Sequence, residues 1–307
     1  MINKQVIHYD GFGNCLELTD GKIVLVVTLD FGPRIIRYAF VGGENIMFED
    51  KMRVFSENNP AMEKVYGKGA TWYIYGGHRF WTSPENCPRT YYPDNSPVTY
   101  TLTDNGAVFT QPVQEQNGYQ LQLQVSIDDT TSEVAVTHTL INRRNAPITL
   151  APWGISPLSA GGVLVAPQPT ADTYTLPNRH ITLWPKAKIF DSRLTWMEKY
   201  FALRQDKDNT DYFKIGINSQ HGFALYFNHG DLFIKRFHVN PQGTYSDGGM
   251  SFETYVNPLF LEVESLGELV TLAPEEHTNH TEYWSLHKAQ LPELTDSSLD
   301  AFCEKYI

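Results

Sequence analysis

The stretch FLEVESLGELVTLAPEEHTNHTEYW, residues 260–284, says most about the fold of this chain. Its first part alternates apolar and acidic residues, and the side chains of a strand point to opposite faces with a period of two residues. Glu262 and Glu264 therefore share one face, while Leu261 and Val263 occupy the other. Two acids on one face of an apolar strand cost free energy unless a polar partner meets them. That partner is either an Arg or Lys on a neighbouring strand or a polar ligand, and the pattern alone leaves both open.

Strand patterns dominate the rest of the chain as well. They are rich in Val, Ile, Thr and aromatic residues and are separated by Gly, Asn, Asp or Pro. The predicted strands include 23–29, 119–127, 133–142, 148–150, 213–217, 232–238, 260–264 and 277–286. The one clear helical pattern covers residues 297–305. Because no repeat, linker or change of composition divides the chain, we predict a single all-β domain over residues 1–307, a large antiparallel sandwich or barrel.

The composition excludes several classes of partner. A net charge of −11 at pH 7, with no basic stripe, predicts that neither nucleic acid nor an anionic membrane is bound. Three widely spaced cysteines, Cys15, Cys87 and Cys303, form neither a disulfide framework nor a metal motif. No apolar run reaches membrane-spanning length, and the stretch MINKQVIHYDGFGN has no core of signal-peptide length. We therefore expect a cytoplasmic protein.

The order of segments from residue 259 to residue 286 resembles the C-terminal end of the galactose mutarotase (aldose 1-epimerase) superfamily. A Leu-Glu-x-acid strand is followed by the turn at residues 273–276 and by a last strand rich in His and Thr. The resemblance implies a galactose mutarotase-like β-sandwich with a sugar site on its concave face. It places Glu262 at the catalytic base of the superfamily and Glu264 at the position of an amide. It is closest to a branch with a Gly-Gly-His-Arg-(aromatic)-Trp motif.

That motif occupies residues 76–81 of this chain. The two glycines permit a close approach of the backbone, and an imidazole can exchange a proton near neutral pH. The resemblance therefore implies a catalytic role for His78. Arg79 points to the opposite face if the segment is extended. It is either a contact to the substrate or the ion-pair partner of an acid such as Glu85.

Two further positions are predicted to bind substrate. Arg34 follows a turn between two strands, and its guanidinium either reaches the sugar or pairs with the glutamates of the apolar strand. Asp247 lies in the part of the chain where mutarotases carry an Asp that binds sugar hydroxyls. We expect Arg34, His78, Glu262 and Glu264 to converge on one concave pocket.

Trp153 marks the main departure from the superfamily. In register it stands where the family has its general-acid His, and an indole N–H donates a hydrogen bond but gives up no proton at useful pH. We expect Trp153 to contact the substrate. Lys235 is predicted to bind substrate and is, with His238, a candidate for the missing acid. The rival interpretation is that these two residues pair with Glu253.

The predicted function is a carbohydrate-active protein, an isomerase of the aldose 1-epimerase (mutarotase) type with Glu262 as general base. Opening a cyclic sugar needs a base at the anomeric hydroxyl and an acid at the ring oxygen. The alternatives are a carbohydrate-binding protein without catalysis, or a glycoside hydrolase or lyase that uses Glu262 and Glu264. The expected ligand is a small-molecule sugar or oligosaccharide, with no cofactor. No metal is expected, because His277 and His280 would point to opposite faces of their strand.

Overall fold

The computed structural model describes all 307 residues, and most of its elements are strands. The strands are β1 Asn3–Tyr9, β2 Gly13–Thr19, β3 Ile23–Thr28, β4 Ile35–Phe40, β5 Ser56–Glu57, β6 Trp72–Tyr73, β7 Arg79–Ser83, β8 Thr99–Thr103, β9 Gly106–Thr110, β10 Tyr119–Ile127, β11 Val134–Asn142, β12 Ile148–Leu158, β13 Val163–Pro167, β14 Ile181–Leu183, β15 Leu194–Trp196, β16 Tyr200–Arg204, β17 Phe213–Ile217, β18 Phe223–Asn228, β19 Asp231–Phe237, β20 Phe252–Val256, β21 Leu261–Leu266, β22 Val270–Leu272 and β23 His277–Lys288. The helices are α1 Pro60–Tyr66, α2 Ser246–Gly249 and α3 Asp296–Tyr306, with one 3-10 turn at Arg89–Tyr91. None of the helices combines the length and the apolar character needed to cross a membrane.

Three antiparallel sheets carry the architecture. The largest has ten strands in the order β15-β16-β13-β18-β19-β23-β11-β10-β9-β8. The second has seven strands in the order β14-β17-β20-β21-β12-β22, with β7 also hydrogen-bonded to β12. The strands β1 to β4 form the third sheet in sequence order, and β5 pairs with β6. The predicted all-β antiparallel fold is confirmed.

The main core lies between these sheets. It is one hydrophobic cluster of 44 buried residues to which all three large sheets contribute. From β21 the core receives Leu261 and Val263, whereas Glu262 and Glu264 lie on the other face of that strand. The alternation read from the sequence therefore holds, and it gives the seven-stranded sheet one apolar face and one face with charged groups.

Strand β12 is longer than the sequence predicts. The predicted strand covered residues 148–150, and Pro152 and Pro157 follow it. A proline lacks the N–H donor but keeps its carbonyl acceptor. In the structure the carbonyl of Pro152 accepts from Gly267 N at 2.9 Å, and that of Pro157 accepts from Phe48 N at 3.0 Å. The strand therefore continues through both prolines, which brings Trp153 into the sheet.

The C-terminal helix was predicted correctly, whereas α1 was not recognised. Thr295 caps α3 by accepting from Ser298 N, and Leu299 packs in a second apolar cluster on the ten-stranded sheet. Helix α1 has clear start signals: Asn59 accepts from two backbone N–H groups and Pro60 is the first helical residue. With only 7 residues, α1 is too short to show a helical period in the sequence.

Candidate functional site

A cavity of about 520 Å³ lies on the face of the seven-stranded sheet that points away from the main core. Strands supply its floor, and the segments around residues 55, 72–74, 85–91 and 184–187 supply its walls. The lining is mostly aromatic and aliphatic, with a few charged groups: Phe55, Trp72, Ile74, Arg79, Trp81, Glu85, Tyr91, Trp153, Ile155, Trp184, Pro185, Lys186, Ala187, Tyr212, Phe213, Lys214, Tyr255, Phe260 and Glu262.

The strand register explains why the polar residues of the floor lie together. Residues directly opposite each other on neighbouring strands point to the same face. Lys214 of β17 lies opposite Tyr255 of β20, which in turn lies opposite Glu262 of β21. Glu253 lies opposite Glu264 in the next row of the same face. Two rows of side chains thus bring acids and a lysine from three strands to one place.

Glu262 is held by a guanidinium from β7. Arg79 Nη1 donates to Glu262 Oε1 at 2.8 Å, and both side chains are buried to at least nine-tenths. The guanidinium carbon of Arg79 also lies 4.3 Å from the ring centre of Trp81 and 5.6 Å from that of Trp72. This geometry fixes the Arg79 side chain between two indoles and fixes the orientation of the Glu262 carboxylate at the cavity.

Lys214 occupies the opposite side of the floor, between two tryptophans. Its Nζ lies 4.6 Å from the ring centre of Trp153 and 4.5 Å from that of Trp184. Behind it lie two buried carboxylates, with Glu253 Oε2 at 2.8 Å and Glu264 Oε2 at 3.2 Å from Nζ. Glu264 Oε2 also accepts a hydrogen bond from Trp153 Nε1 at 3.0 Å. Lys214 is therefore a cation that contacts both the cavity and two acids beneath it.

Glu253 and Glu264, the two acids beneath Lys214, have raised pKa values because they are buried. Burial raises the pKa of Glu253 to about 8, with the Lys214 ammonium opposing and the Glu264 carboxylate reinforcing the shift. Burial likewise raises the pKa of Glu264. Burial opposes the charge of Lys214, but the carboxylates of Glu264 and Glu253 outweigh it and raise the pKa of the ammonium. At neutral pH the lysine is charged and Glu253 is mostly protonated.

Several buried polar atoms at this site have no hydrogen-bond partner. They are Arg79 Nε, Trp72 Nε1, Glu264 Oε1 and both side-chain oxygens of Glu253. The contact of Glu253 Oε2 with Lys214 is close in distance but lacks the angles of a hydrogen bond. Buried polar groups are nearly always paired, so the unpaired atoms of Arg79 and Trp72, which line the cavity, indicate a place for a polar ligand or water. We call Arg79, Lys214, Glu253, Glu262 and Glu264 the cavity cluster.

Of the residues predicted from the sequence, four belong to this site. Glu262, Arg79 and Trp153 line the cavity, and Glu264 lies directly behind Trp153. The sequence left two kinds of partner open for Glu262 and Glu264, a basic side chain or a polar ligand. In the structure Arg79 pairs with Glu262 and Lys214 pairs with Glu264. Arg79, Lys214 and Glu262 also line the cavity, so a ligand can contact them as well. The partner of Arg79 is Glu262, whereas Glu85 accepts from Tyr91 at 2.6 Å.

The structure places His78 and Lys235 elsewhere, between the sheets. His78 precedes Arg79, so its ring points to the face opposite the cavity. There it belongs to a core cluster, which we define as His78, His138, His280, Lys235 and Glu282, all of them buried. Lys235 Nζ donates to Glu282 Oε1 at 2.9 Å. The expected convergence of His78 with Glu262 on one pocket is not found, because the two side chains leave the sheet on opposite faces.

The hydrogen bonds of the core cluster indicate which ring nitrogens of His78 and His138 carry a proton. His138 Nδ1 lies 2.9 Å from the carbonyl of His280, so this nitrogen carries the proton. His138 Nε2 then accepts from His78 Nε2 at 2.7 Å, and His78 Nδ1 accepts from the Ser156 hydroxyl at 2.8 Å. Burial keeps these rings neutral: it lowers the pKa of His78 well below 6.5, lowers that of His138, and lowers that of His280 to about 3.

Glu282 is the anion at the centre of the core cluster. Besides Lys235, the hydroxyl of Ser265 donates to it at 2.6 Å and the indole of Trp284 at 2.8 Å. Burial would raise its pKa, but the Lys235 ammonium lowers the pKa of Glu282 overall. Ligand atoms of His78, His138 and Glu282 lie within 4.8 Å of one another, a spacing that could hold a metal ion. Each of these atoms is already engaged in the hydrogen bonds and ionic contacts just described.

The other predicted positions lie outside both clusters. Arg34 is buried and forms a bidentate ion pair with Asp94, at 2.6 and 3.1 Å. It ties the turn after β3 to the loop that precedes β8, and does not reach the glutamates of β21. Asp247 is half-buried in a left-handed turn with φ of 54°, where its carbonyl accepts from Thr182. His238 is exposed. None of the three lines the cavity.

Sequence reasoning missed Lys214 and assigned Glu253 to another partner. Both interrupt strands that are otherwise buried, FKIGI at 213–217 and FETYV at 252–256. This is the same signal that drew attention to Glu262 and Glu264. Lys235 and His238, expected as partners of Glu253, lie apart from it, and Lys214 takes that role. The register between these strands, which the sequence does not give, is what assembles the group.

Comparisons with known proteins agree on the fold. No family model matches the chain, and no curated protein matches it. Among solved structures, a galactose mutarotase-like protein from Lactobacillus casei superposes with a TM-score of 0.54 at 11% identity, over 93% of this chain and all of that one. A galactose mutarotase-like protein from Clostridium acetobutylicum gives 0.53 at 11% identity, over 94% and 98%. The chain also matches a TPR-domain containing protein from Parabacteroides distasonis, with a TM-score of 0.62 at 12% identity.

That last match covers 91% of this chain but 48% of the Parabacteroides protein, so the chain spans about half of its length. At 11–12% identity these similarities establish the fold alone. The fold is the galactose mutarotase-like β-sandwich.

Proposed function

We propose that the cavity binds a carbohydrate and that the protein acts at the anomeric carbon of a sugar. The observation that carries the proposal is the composition of the cavity, in which four indoles and three tyrosines surround Arg79, Lys214 and Glu262. Aromatic faces pack against the C–H faces of a sugar ring, and a few fixed polar groups orient its hydroxyls. Solved proteins of the same fold are described as galactose mutarotase-like, which supports a sugar as ligand.

The size of the cavity suits one or two sugar rings. A hexose displaces roughly six water molecules, or about 180 Å³ at about 30 Å³ per water. The cavity of about 520 Å³ therefore accommodates a monosaccharide with room for a second ring. We infer a small-molecule sugar or a short oligosaccharide as the ligand class.

For catalysis we assign the general base to Glu262. Its Oε1 accepts from Arg79, and no other side chain forms a hydrogen bond with this carboxylate. Oε2 thus has no hydrogen bond from a neighbouring side chain and is the atom that would take the proton of the anomeric hydroxyl. Base removal of this proton promotes opening of the ring, and closure on the other face gives the other anomer. The corresponding enzyme class is an isomerase of the aldose 1-epimerase type.

A second candidate function is carbohydrate binding without turnover. One observation favours it: none of the lining residues is a histidine, and Trp153 donates to Glu264 at the position where the superfamily has its general acid. A hydrolase with Glu262 and Glu264 as its two carboxylates has less support. Trp153 and Lys214 engage Glu264 beneath the floor, so only Glu262 reaches a substrate.

The experiment measures binding and turnover on the same samples. Isothermal titration with D-glucose, D-galactose, lactose and cellobiose reports binding, with and without EDTA. Exchange between anomers of each sugar is followed by NMR saturation transfer against a protein-free blank. The variant Glu262→Gln keeps the shape but cannot take a proton. The matched control is Glu304→Gln, an exposed glutamate on α3.

The proposal predicts binding of at least one sugar, unchanged by EDTA, and exchange that Glu262→Gln slows by about 100-fold or more. Its affinity should stay within a few-fold of the wild type, and Glu304→Gln should match the wild type in both. Full exchange in Glu262→Gln would contradict the base assignment. Binding without exchange in the wild type would establish the second candidate, and binding of none of the four sugars would contradict a carbohydrate site.

A further inference from the structure

We propose that Lys214 is the proton donor to the ring oxygen of the bound sugar and that Glu253 supplies the proton that replaces it. This inference rests on the proposed function, because it completes ring opening by Glu262. It assigns catalysis to Lys214, which faces the cavity, and proton supply to Glu253, which acts only through Lys214.

The position of Lys214 opposite Glu262 is the first support. The two residues lie in one register row, with Tyr255 between them, and all three line the cavity. Neighbouring strands are about 4.8 Å apart, so the backbones of Lys214 and Glu262 are about 10 Å apart. Both side chains rise from the same face. A sugar ring between them would have a carboxylate on one side and an ammonium on the other, as acid–base opening of a ring requires.

The buried carboxylates behind Lys214 are the second support. One ammonium faces two carboxylates that are both fully buried, so the group carries a net negative charge unless one proton is added. An isolated buried charge is costly, and a proton on one acid removes it. Burial raises the pKa of Glu253 to about 8, which places that proton on Glu253 at neutral pH. The negative charge of Asp247 raises the pKa of Glu253 further.

Glu253 also has the unpaired atoms that such a role needs. Both its side-chain oxygens are buried and lack hydrogen bonds, although one lies 2.8 Å from Lys214 Nζ. A small rotation of either side chain would complete a hydrogen bond along which a proton can pass. None of the fully buried unpaired side-chain atoms, by contrast, belongs to the core cluster.

Opening of the sugar ring requires three proton transfers. Glu262 Oε2 takes the proton of the anomeric hydroxyl, the C1–O1 bond becomes a carbonyl, and the bond between C1 and the ring oxygen breaks. The ring oxygen receives a proton from Lys214 Nζ, and the neutral amine takes the carboxyl proton of Glu253. The open sugar rotates about C1–C2 and closes by the reverse steps. No oxidant, metal or cofactor is required.

Other proton donors at the cavity are less suited. Tyr91 donates to Glu85, and burial raises the pKa of the Tyr91 and Tyr255 hydroxyls. The carboxylate beside Tyr91, Glu85, is exposed and is not a buried acid, and the side chain that contacts the Tyr255 hydroxyl is an amide, Asn257. The indoles do not release protons at useful pH. Lys214 alone combines contact with the cavity and a protonated acid beneath it.

The test compares anomer exchange across pH 5 to 10 in the full-length wild type, Lys214→Met, Lys214→Arg, Glu253→Gln and Glu262→Gln. The probes are D-glucose, D-galactose, lactose and cellobiose, and protein-free rates are subtracted at each pH. Isothermal titration on the same samples reports affinity, and circular dichroism reports folding. Lys305→Met, on the exposed side of α3, is the matched control.

We expect the wild-type rate to fall as pH rises through about 8, because Glu253 then loses its proton. Lys214→Met should slow exchange by about 100-fold with affinity within a few-fold of the wild type, and Lys214→Arg should keep the affinity of the wild type but not its rate. Glu253→Gln mimics the protonated acid but cannot donate its proton to the amine. It should stay folded, slow exchange about tenfold or more and lose the decline near pH 8.

Wild-type exchange in folded Lys214→Met, or an unchanged pH profile in Glu253→Gln, would overturn the inference. If Glu262→Gln abolishes exchange while Lys214→Met retains it, the proposed function stands and the donor assignment fails. If the wild type shows binding but no exchange, catalysis and donor assignment fail together. Should Lys214→Met not fold, Lys214→Arg and Glu253→Gln decide by the same criteria.

Discussion

A buried ionic cluster lies on each face of the seven-stranded sheet, and the two clusters differ in the pairing of their polar atoms. The core cluster, on the inner face, has three histidines, a lysine and a glutamate, and none of the fully buried unpaired side-chain atoms belongs to it. The cavity cluster, on the outer face, has no histidine, and four of its atoms lack hydrogen bonds. The inner group resembles a catalytic site in composition, but the outer group has the unpaired atoms and the cavity.

The difference shows that residue type alone is a poor guide to function. Saturated hydrogen bonds in a closed interior specify one arrangement and leave nothing to offer a ligand. Arg79, Lys214 and Glu262 line an aromatic cavity, where a ligand can bind to their polar groups. We therefore assign the core cluster to stability and the cavity cluster to binding.

The largest expected contrast is in stability. Lys235→Met leaves the Glu282 carboxylate buried without its cation, which should lower the free energy of unfolding by about 3–5 kcal/mol. Lys214→Met should cost about half as much or less, because Glu253 is already protonated and the cavity admits water. Urea unfolding at pH 7 measures both variants. Equal losses of unfolding free energy would show that removing Lys235 from the core cluster costs no more than removing Lys214 from the cavity cluster.

The two clusters should also respond to pH with opposite sign. The core histidines have lowered pKa values, so the unfolded chain binds more protons below pH 6.5 and stability falls as pH drops from 6.5 toward 3. The slope is up to about 1.4 kcal/mol per pH unit for each histidine. Glu253 has a raised pKa, so its contribution to stability grows as pH falls from about 8 toward 4.5.

Urea unfolding between pH 8.5 and 4 separates these contributions. We expect a rise in stability down to about pH 6.5 and a fall below it, where three histidines outweigh one glutamate. Glu253→Gln should remove the rise and leave the fall. A protein equally stable at pH 7 and pH 4.5 would contradict the neutral state of the buried histidines.

A smaller effect, on the affinity for sugar, is expected when a tryptophan in the wall of the cavity is replaced. Trp184 lines the cavity and Trp196 lies outside it, and both are partly exposed. Trp184→Ala should weaken sugar binding about tenfold, or about 1.4 kcal/mol, through the loss of a stacking surface. Trp196→Ala should stay within twofold of the wild type. Titration calorimetry with the same sugars distinguishes them, and equal losses would point to a site other than this cavity.

Much of this contrast could be predicted from the sequence. Alternation in β21 placed Glu262 and Glu264 on one face, and the same rule already separates His78 from Arg79. The preference for His78 came from the two glycines before it and from the resemblance to the superfamily. In the structure these glycines permit close packing of the backbone against other segments. A Cβ on Gly76 would lie 2.2 Å from the carbonyl oxygen of Phe48, and one on Gly77 would lie 2.3 Å from that of Ile35.

What the sequence could not supply is the pairing of distant strands. Lys214 reaches Glu264 across β20, and their positions differ by 50 in the chain. Arg79 and Glu262 differ by 183 positions. Such contacts depend on the order of strands in the sheet, which no local pattern encodes. A charged residue inside a buried strand marks a candidate, and the register decides which candidates meet.

The six tryptophans allow a direct test of the central claim that ligand binds on the cavity face. Trp72, Trp81, Trp153 and Trp184 line the cavity, whereas Trp284 belongs to the interior beside Glu282 and Trp196 lies outside. Titrating ¹⁵N-labelled protein with D-galactose, D-glucose, lactose or cellobiose should shift the indole N–H signals of the first four, assigned through single Trp→Phe variants. The signals of Trp284 and Trp196 should stay in place. Shifts of Trp284 without shifts of the cavity indoles would place the ligand on the wrong face and contradict the account.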